Sequence, residues 1–284
     1  MMAELIDRKQ LKADMKNLLA DAQVSPKGMT AFYLVLLLVL NLAASLLDGS
    51  GLVSTFLSIL SSLFGMVLGS GFVLYCMAVR RGERAEYLTL FDGFSFVGKI
   101  IGLNIVMYIF IWLWSMLFII PGFIAAYRYR FALYNLYENP GIGIMEALDM
   151  SKQQTLGYKG QLFTLDLSYL GWTLLASVPS MVESTFFYEE LFSDAMTYID
   201  GSAQVLSAVS AAPSLYATLP AWGWVLISSL WSLVVSLFYL PNYQCVELGY
   251  FETAKSTSGV GEGAAPRNGN PWNNDMGPDG LGGL

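Results

Sequence analysis

The chain has 284 residues, 55% of them hydrophobic and 13% charged, against about 45–50% and 25% in soluble domains. Its 15 Lys/Arg and 22 Asp/Glu, net −7, gather in a few short stretches and cannot coat a water-soluble surface, so lipid is the implied solvent for most of the chain. The absence of histidine removes every His-based triad, general base and metal ligand, and Cys76 and Cys245 lie too far apart in sequence to make a thiolate zinc motif.

From Glu4 to Asp21 charges alternate with Leu5, Leu11, Met15 and Leu18. This predicts an amphipathic helix within residues 1–28, lying on the cytoplasmic face and ended near Ser25 and Pro26; no uninterrupted apolar stretch reads as a cleavable signal. A membrane-spanning helix needs about 20 mainly apolar residues. Met29 to Leu47 and Leu52 to Val79 are the first two crossings, joined by a tight turn at Asp48–Gly51. The uncharged run Ile100 to Tyr127, 28 residues, would be about 42 Å long as one helix, too long for a hydrocarbon core of about 30 Å. Pro121 and Gly122 therefore break it, giving a third crossing at 100–120 and a fourth crossing, or shallower return, at 121–137 that carries Arg128 and Arg130.

The fifth crossing is 161–182, with Asp166 inside it. Residues 201–246 carry no formal charge and are too many for one span; Pro213, Pro220 and Pro241 divide them, leaving a sixth crossing at 221–240 and an Ala/Ser-rich interfacial or re-entrant piece before it. From Thr253 onward Gly, Pro, Ser and Asn dominate, and the tail 253–284 reads as disordered. The fold class is all-α: a polytopic transmembrane bundle of about six helices over residues 29–252.

With six crossings, Arg8, Lys9, Lys12, Lys16 and Lys27 fall on the same side as Arg80, Arg81, Arg84 and Lys99, as Lys152 and Lys159, and as Lys255 and Arg267. The opposite loops, 48–51 and 183–220, contain no Lys or Arg. By the positive-inside rule both termini are cytoplasmic. A half-inserted hairpin around Pro121 leaves this parity unchanged. In that reducing compartment Cys76 and Cys245 are not expected to form a structural disulfide.

The block Leu113–Gly122, LWSMLFIIPG, is followed by Tyr127, Tyr129, Asn139 and Pro140, then by Glu146, Ala147, Leu148 and Ser151, by Gly157, Tyr158, Lys159 and Phe163, and by Leu167, Ser168, Gly171 and Trp172; Leu90, Phe91, Gly93 and Phe94 precede it. In this order the fragments resemble the bacterial integral membrane proteins of domain-of-unknown-function family 975, over roughly residues 8–251. The resemblance implies a six-helix protein of the bacterial cytoplasmic membrane and carries no activity with it. The proline break followed by an amphipathic helix is also more distantly similar to the membrane domain of some glycerophosphodiester phosphodiesterases, a scaffold without catalytic residues. The loop 183–220 is longer than that pattern, and the Gly/Pro tail is an addition.

Arg128 and Arg130 are the sharpest candidates. An arginine at mid-bilayer costs about 2.5–3.5 kcal/mol on insertion scales, so each must face the bundle, a wet cavity or a lipid headgroup. Asp166 is the expected partner of one, while the other snorkels or stacks on Tyr127 or Tyr134. The trio reads either as a site for anionic lipid or solute beside the broken helix, or as a structural ion pair. Gly65 and Gly69 form a GxxxG that admits a close helix, from the same chain or from a second copy. Glu189, Glu190 and Asp194 lack the spacing of a calcium loop and read as a solvated loop, whose aromatic residues suit an interface. Ser151 lies on a short cytoplasmic amphipathic helix and has no histidine to activate it. No catalytic residue, metal ligand or cofactor site emerges, and nucleic acid is not an expected partner. The expected function is a non-enzymatic membrane component that binds lipid or other membrane proteins, in envelope maintenance or complex assembly. The alternative is a small transporter or channel-like protein whose site lies at Arg128, Arg130 and Asp166.

Overall fold

The computed structural model describes residues 4–46, 51–200 and 221–261; the side chains of residues 51, 54, 183–200 and 221 fall outside that description. All its regular elements are helices: α1 (Arg8–Ala20), α2 (Pro26–Leu46), α3 (Gly51–Arg80), a 3-10 helix (Tyr87–Phe96), α4 (Val97–Leu117), α5 (Ile119–Tyr129), α6 (Ala132–Glu138), α7 (Ile144–Gln154), α8 (Lys159–Asp200) and α9 (Ala221–Ser258). Among the described residues, four helical stretches are long and apolar enough to cross a bilayer: Pro26–Leu46, Thr55–Arg80, Tyr87–Leu117 and Trp222–Ser258. The remaining two expected crossings do not stand out in this way. One is split into the short helices α5 and α6, and the other, in α8, is diluted by Gln161, Asp166 and several Ser and Thr residues.

The chain divides into two compact units. The first comprises the described residues of 1–6, 91–162 and 249–284. Its core joins Leu103 of α4, Ala125 and Tyr129 of α5, Ala132 and Leu136 of α6, and Ala147 and Leu148 of α7. The helix break in this unit falls at Phe118, which is extended (φ −160°, ψ 150°), three residues before Pro121. The displacement follows from proline chemistry. Pro121 has no N–H for the carbonyl four residues earlier and its ring crowds that carbonyl, which favours the end of α4 at Leu117, while the first turn of α5 tolerates the proline. Gly122 lets the two helices close on each other, because a Cβ there would run into the Ser115 hydroxyl. A second interruption, at Arg130 and Phe131, separates α5 from α6, so 121–137 is two short helices and not one rod.

The second unit comprises residues 7–90 and 163–248. Asp7 caps α1 by accepting from the backbone N–H of Lys9 and Gln10, at 2.9 and 3.3 Å. α2 and α3 pack as a hairpin in which Gly65 faces Leu37 and Gly69 faces the Tyr33 hydroxyl, so the GxxxG meets a helix of the same chain. Ser61 donates to Asn41 across that seam at 3.0 Å, and Tyr33 stacks on Phe72 at 5.3 Å.

Three boundaries differ from the sequence reading. α8 continues helically through 183–200, where an outer loop is expected; no Gly or Pro lies between Glu183 and Asp200 to stop it. α9 passes through Pro241, which therefore does not divide the last apolar run, as membrane helices tolerate proline where neighbours satisfy the freed carbonyl. α9 also runs to Ser258, with Ala254 fully buried, so the tail begins after the glycine stop at Gly259 (φ +65°) and not at Thr253. The turn at 47–50, the piece 201–220 with Pro213 and Pro220, and the tail beyond 261 lie outside the described residues.

Candidate functional site

The first unit places Arg128 in the last turn of α5, at the base of the α4–α5 hairpin. The interruption after α5 frees the carbonyl of Arg128 and the amide of Phe131, and α7 supplies both partners. The Ser151 hydroxyl donates to the Arg128 carbonyl at 2.8 Å and accepts from the Phe131 N–H at 3.1 Å. Thr155 donates to the Ser151 carbonyl at 2.8 Å, with the Arg128 carbonyl 3.3 Å away. One turn further, Asn135 and Gln154 exchange two side-chain amide hydrogen bonds, both 2.8 Å. Ser151, Thr155, Asn135 and Gln154 are all buried. Buried polar groups in this number are sustainable only when paired, and here α7 serves as a polar splint across a broken helix. Ser151 is thereby a structural residue with both hydrogen-bonding roles filled.

The charged groups around the hairpin base differ in how they are matched. Lys152 pairs with Asp149 at 2.6 Å and lies 6.0 Å from the Tyr129 ring. Lys99 donates to the carbonyls of Pro140 and Ile142. Lys255 meets Glu138 at 2.7 Å in a largely buried pair. The Arg130 guanidinium lies 5.4 Å from the centroid of the Tyr127 ring. Arg128 is different: its Nε is enclosed and donates to nothing among the described residues. Lys159, at the start of α8, is its electrostatic neighbour; burial first, and the Arg128 charge second, pull the Lys159 pKa below the ordinary lysine value.

Asp166 belongs to the second unit. Its Oδ1 accepts from the Tyr243 hydroxyl at 2.8 Å, a partner on α9 that spacing arguments had no means to supply. Around it α1 is laced to α8 and α9. Lys12 donates to Ser168 at 2.8 Å and sits 3.7 Å from the Tyr169 ring centroid, Arg8 donates to the Thr164 carbonyl at 2.8 Å, and Asn242 bridges the Tyr169 hydroxyl (2.6 Å) and the Lys12 carbonyl (3.2 Å). Burial, with Arg8 second, lowers the Lys12 pKa. Arg80 donates to the Cys245 carbonyl at 3.0 Å, and Cys76 and Cys245 are free, buried thiols. Glu189, Glu190 and Asp194 lie on helical backbone of α8, with side chains outside the described set. Among the described residues no three His, Cys, Asp or Glu side chains gather in a way that would hold a metal ion.

Sequence reasoning missed the splint. A Ser, Gln and Thr at 151, 154 and 155 share one face of α7, but the partners they need became visible only with the break at Arg130–Phe131, which no proline or glycine marks.

By class the chain is a helical membrane protein, with four stretches fit to span a bilayer. It belongs to the family described as protein of unknown function DUF975, whose pattern matches residues 116–258, from the tip of the α4–α5 hairpin to the last residue of α9. No curated protein and no solved structure matches the chain.

Proposed function

We propose that this protein is a non-enzymatic component of the bacterial cytoplasmic membrane, with both termini in the cytoplasm, that binds lipid or other membrane proteins in envelope maintenance or complex assembly. The observation that carries the reading is how the described polar groups of the first unit are used. Ser151, Thr155, Asn135 and Gln154 are spent on the interrupted backbone and on each other, which leaves cations and apolar surface for partners. A nucleophile with both hydrogen-bonding roles filled, in a chain without histidine, has no base to activate it.

The helix interruption beside Arg128 favours the alternative of a small transporter, since unwound backbone can coordinate solutes. Against it stands the occupation of the freed Arg128 carbonyl and Phe131 amide by α7. Purification in mild detergent followed by native mass spectrometry tests the choice. Retained anionic phospholipid or a stoichiometric partner protein is expected. Substrate-dependent flux in proteoliposomes that Arg128→Gln abolishes would replace this reading with the transporter.

A further inference from the structure

In the first unit, the α4–α5 hairpin buries apolar side chains toward its base, while its outer face (Ile105, Tyr108, Ile109, Phe123 and Ile124) and its whole tip are exposed. At its base Ile100, Leu103, Ala125 and Tyr129 are buried, whereas every large apolar side chain from Trp112 to Ile120 is exposed, Phe118 and Ile119 at over 70%. α5 has 11 residues from Ile119 to Tyr129, about 16 Å of helix, which is one leaflet of a hydrocarbon core about 30 Å thick. A tip of this kind sunk to the bilayer midplane puts the last turn of α5, and Arg128 with it, at the level of the phosphates of that leaflet.

The groups at that level are cationic and incompletely matched. The Arg128 carbonyl is pinned by Ser151. The turn that follows Thr155, closed by the Tyr158 amide on the Thr155 carbonyl at 3.2 Å, delivers Lys159 next to it. Neither the Arg128 nor the Lys159 side chain meets a carboxylate among the described residues, and the enclosed Arg128 Nε is unpaired. Two like charges held together by a rigid backbone, half-withdrawn from water, are stabilised by an anion between them. Lys152, the next cation, is matched by Asp149 and is not needed.

We infer that Arg128 and Lys159 bind the phosphate of an anionic phospholipid, at the base of an α4–α5 hairpin whose apolar tip is embedded in the same leaflet. This deepens the lipid-binding reading and rests on it. The terminal nitrogens of the guanidinium, which unlike Nε are not enclosed, donate to one phosphate, and Lys159 adds a second positive charge. A zwitterionic lipid, whose own ammonium already neutralises its phosphate, binds less well.

The test compares wild type, Arg128→Gln, Lys159→Gln and the double variant by native mass spectrometry after exchange into detergent with phosphatidylglycerol, phosphatidylethanolamine or inorganic phosphate. Lys9→Gln with Lys16→Gln, two exposed changes on α1, matches the loss of charge. Each single change is expected to weaken phosphatidylglycerol retention roughly fivefold and the pair about thirtyfold, at about one interfacial cation's worth each. Arg128→Lys, which keeps the charge and loses the two-nitrogen contact, is expected to retain less than wild type and more than Arg128→Gln, which separates loss of charge from loss of fold. Neither phosphatidylethanolamine nor inorganic phosphate is expected to compete. Phosphatidylglycerol held equally by the double variant overturns the site while leaving a lipid-binding protein. Displacement by inorganic phosphate overturns the lipid as its ligand. A wild type that carries a stoichiometric protein and no lipid overturns the site and leaves the partner-binding half of the reading standing.

Discussion

Ser151 shows what one hydroxyl does in this protein. It bonds both a carbonyl and an amide released where α5 gives way to α6. Removing it strands the buried Phe131 N–H, and an unmet buried backbone group costs about 1–3 kcal/mol. Ser151→Ala is therefore expected to lower the thermal midpoint in detergent, whereas a change at exposed Lys16 leaves it in place; a Ser151→Ala protein that melts with wild type would show that the splint contributes nothing. Lys159 makes the opposite prediction. Its folded-state pKa is held below the unfolded lysine value of about 10.4, so its charge opposes folding at neutral pH, and that opposition lifts as pH climbs through the lowered pKa toward 10.4. In lipid-free detergent Lys159→Gln is expected to melt higher than wild type at pH 7, with the gap closing in alkali. A gap that widens with pH would contradict the sign. Composition made the cations conspicuous; the matched ones could not be told from the rest without knowing that Asp149 serves Lys152 and Glu138 serves Lys255.

At the scale of single elements, the α4–α5 hairpin turns on Pro121 and Gly122, and both were legible as a break. What periodicity did not locate is where the chain bends: proline acts on the carbonyl four residues before it, so the helix ends at Leu117 and the turn is the single residue Phe118. Pro179 and Pro241 carry the same residue type inside continuous helices. The second break, at Arg130 and Phe131, has no local signal because its cause is tertiary: Ser151 offers the backbone an alternative partner. Gly122 permits the close approach to Ser115, and its substitution separates contact from propensity. Gly122→Ala is expected to destabilise the hairpin by about 1–3 kcal/mol through overpacking, and Ser115→Gly in the same chain to recover part of the loss. No recovery in the double variant, read as thermal midpoints, would mean that the two helices do not close at this point.

Across the whole molecule, the membrane character followed from composition, because a chain with so few charges cannot dissolve itself, and the helical class followed from the length of its uncharged runs. The number of passes did not follow as directly. Hydropathy singles out four stretches, and the segments that remain, α5–α6 and α8, are the ones that carry Arg128, Arg130 and Asp166; polar residues that give these segments their interest also erase their signature as spans. The end of the last helix was missed for a related reason, since Thr253–Ser258 is polar in sequence yet held by Lys255–Glu138 and by Tyr158 on Thr257, at 2.7 and 3.0 Å. Lys255→Met is accordingly expected to loosen the end of α9, seen as faster amide exchange over 253–258, with unchanged exchange speaking against the pair as its anchor. The central claim is that an even number of passes leaves every basic loop on the cytoplasmic side. Reporters active only inside or only outside the cell, fused in turn to residue 1 and residue 284, measure this directly. Cytoplasmic signals from both ends are expected; opposite compartments for the two ends would contradict the account.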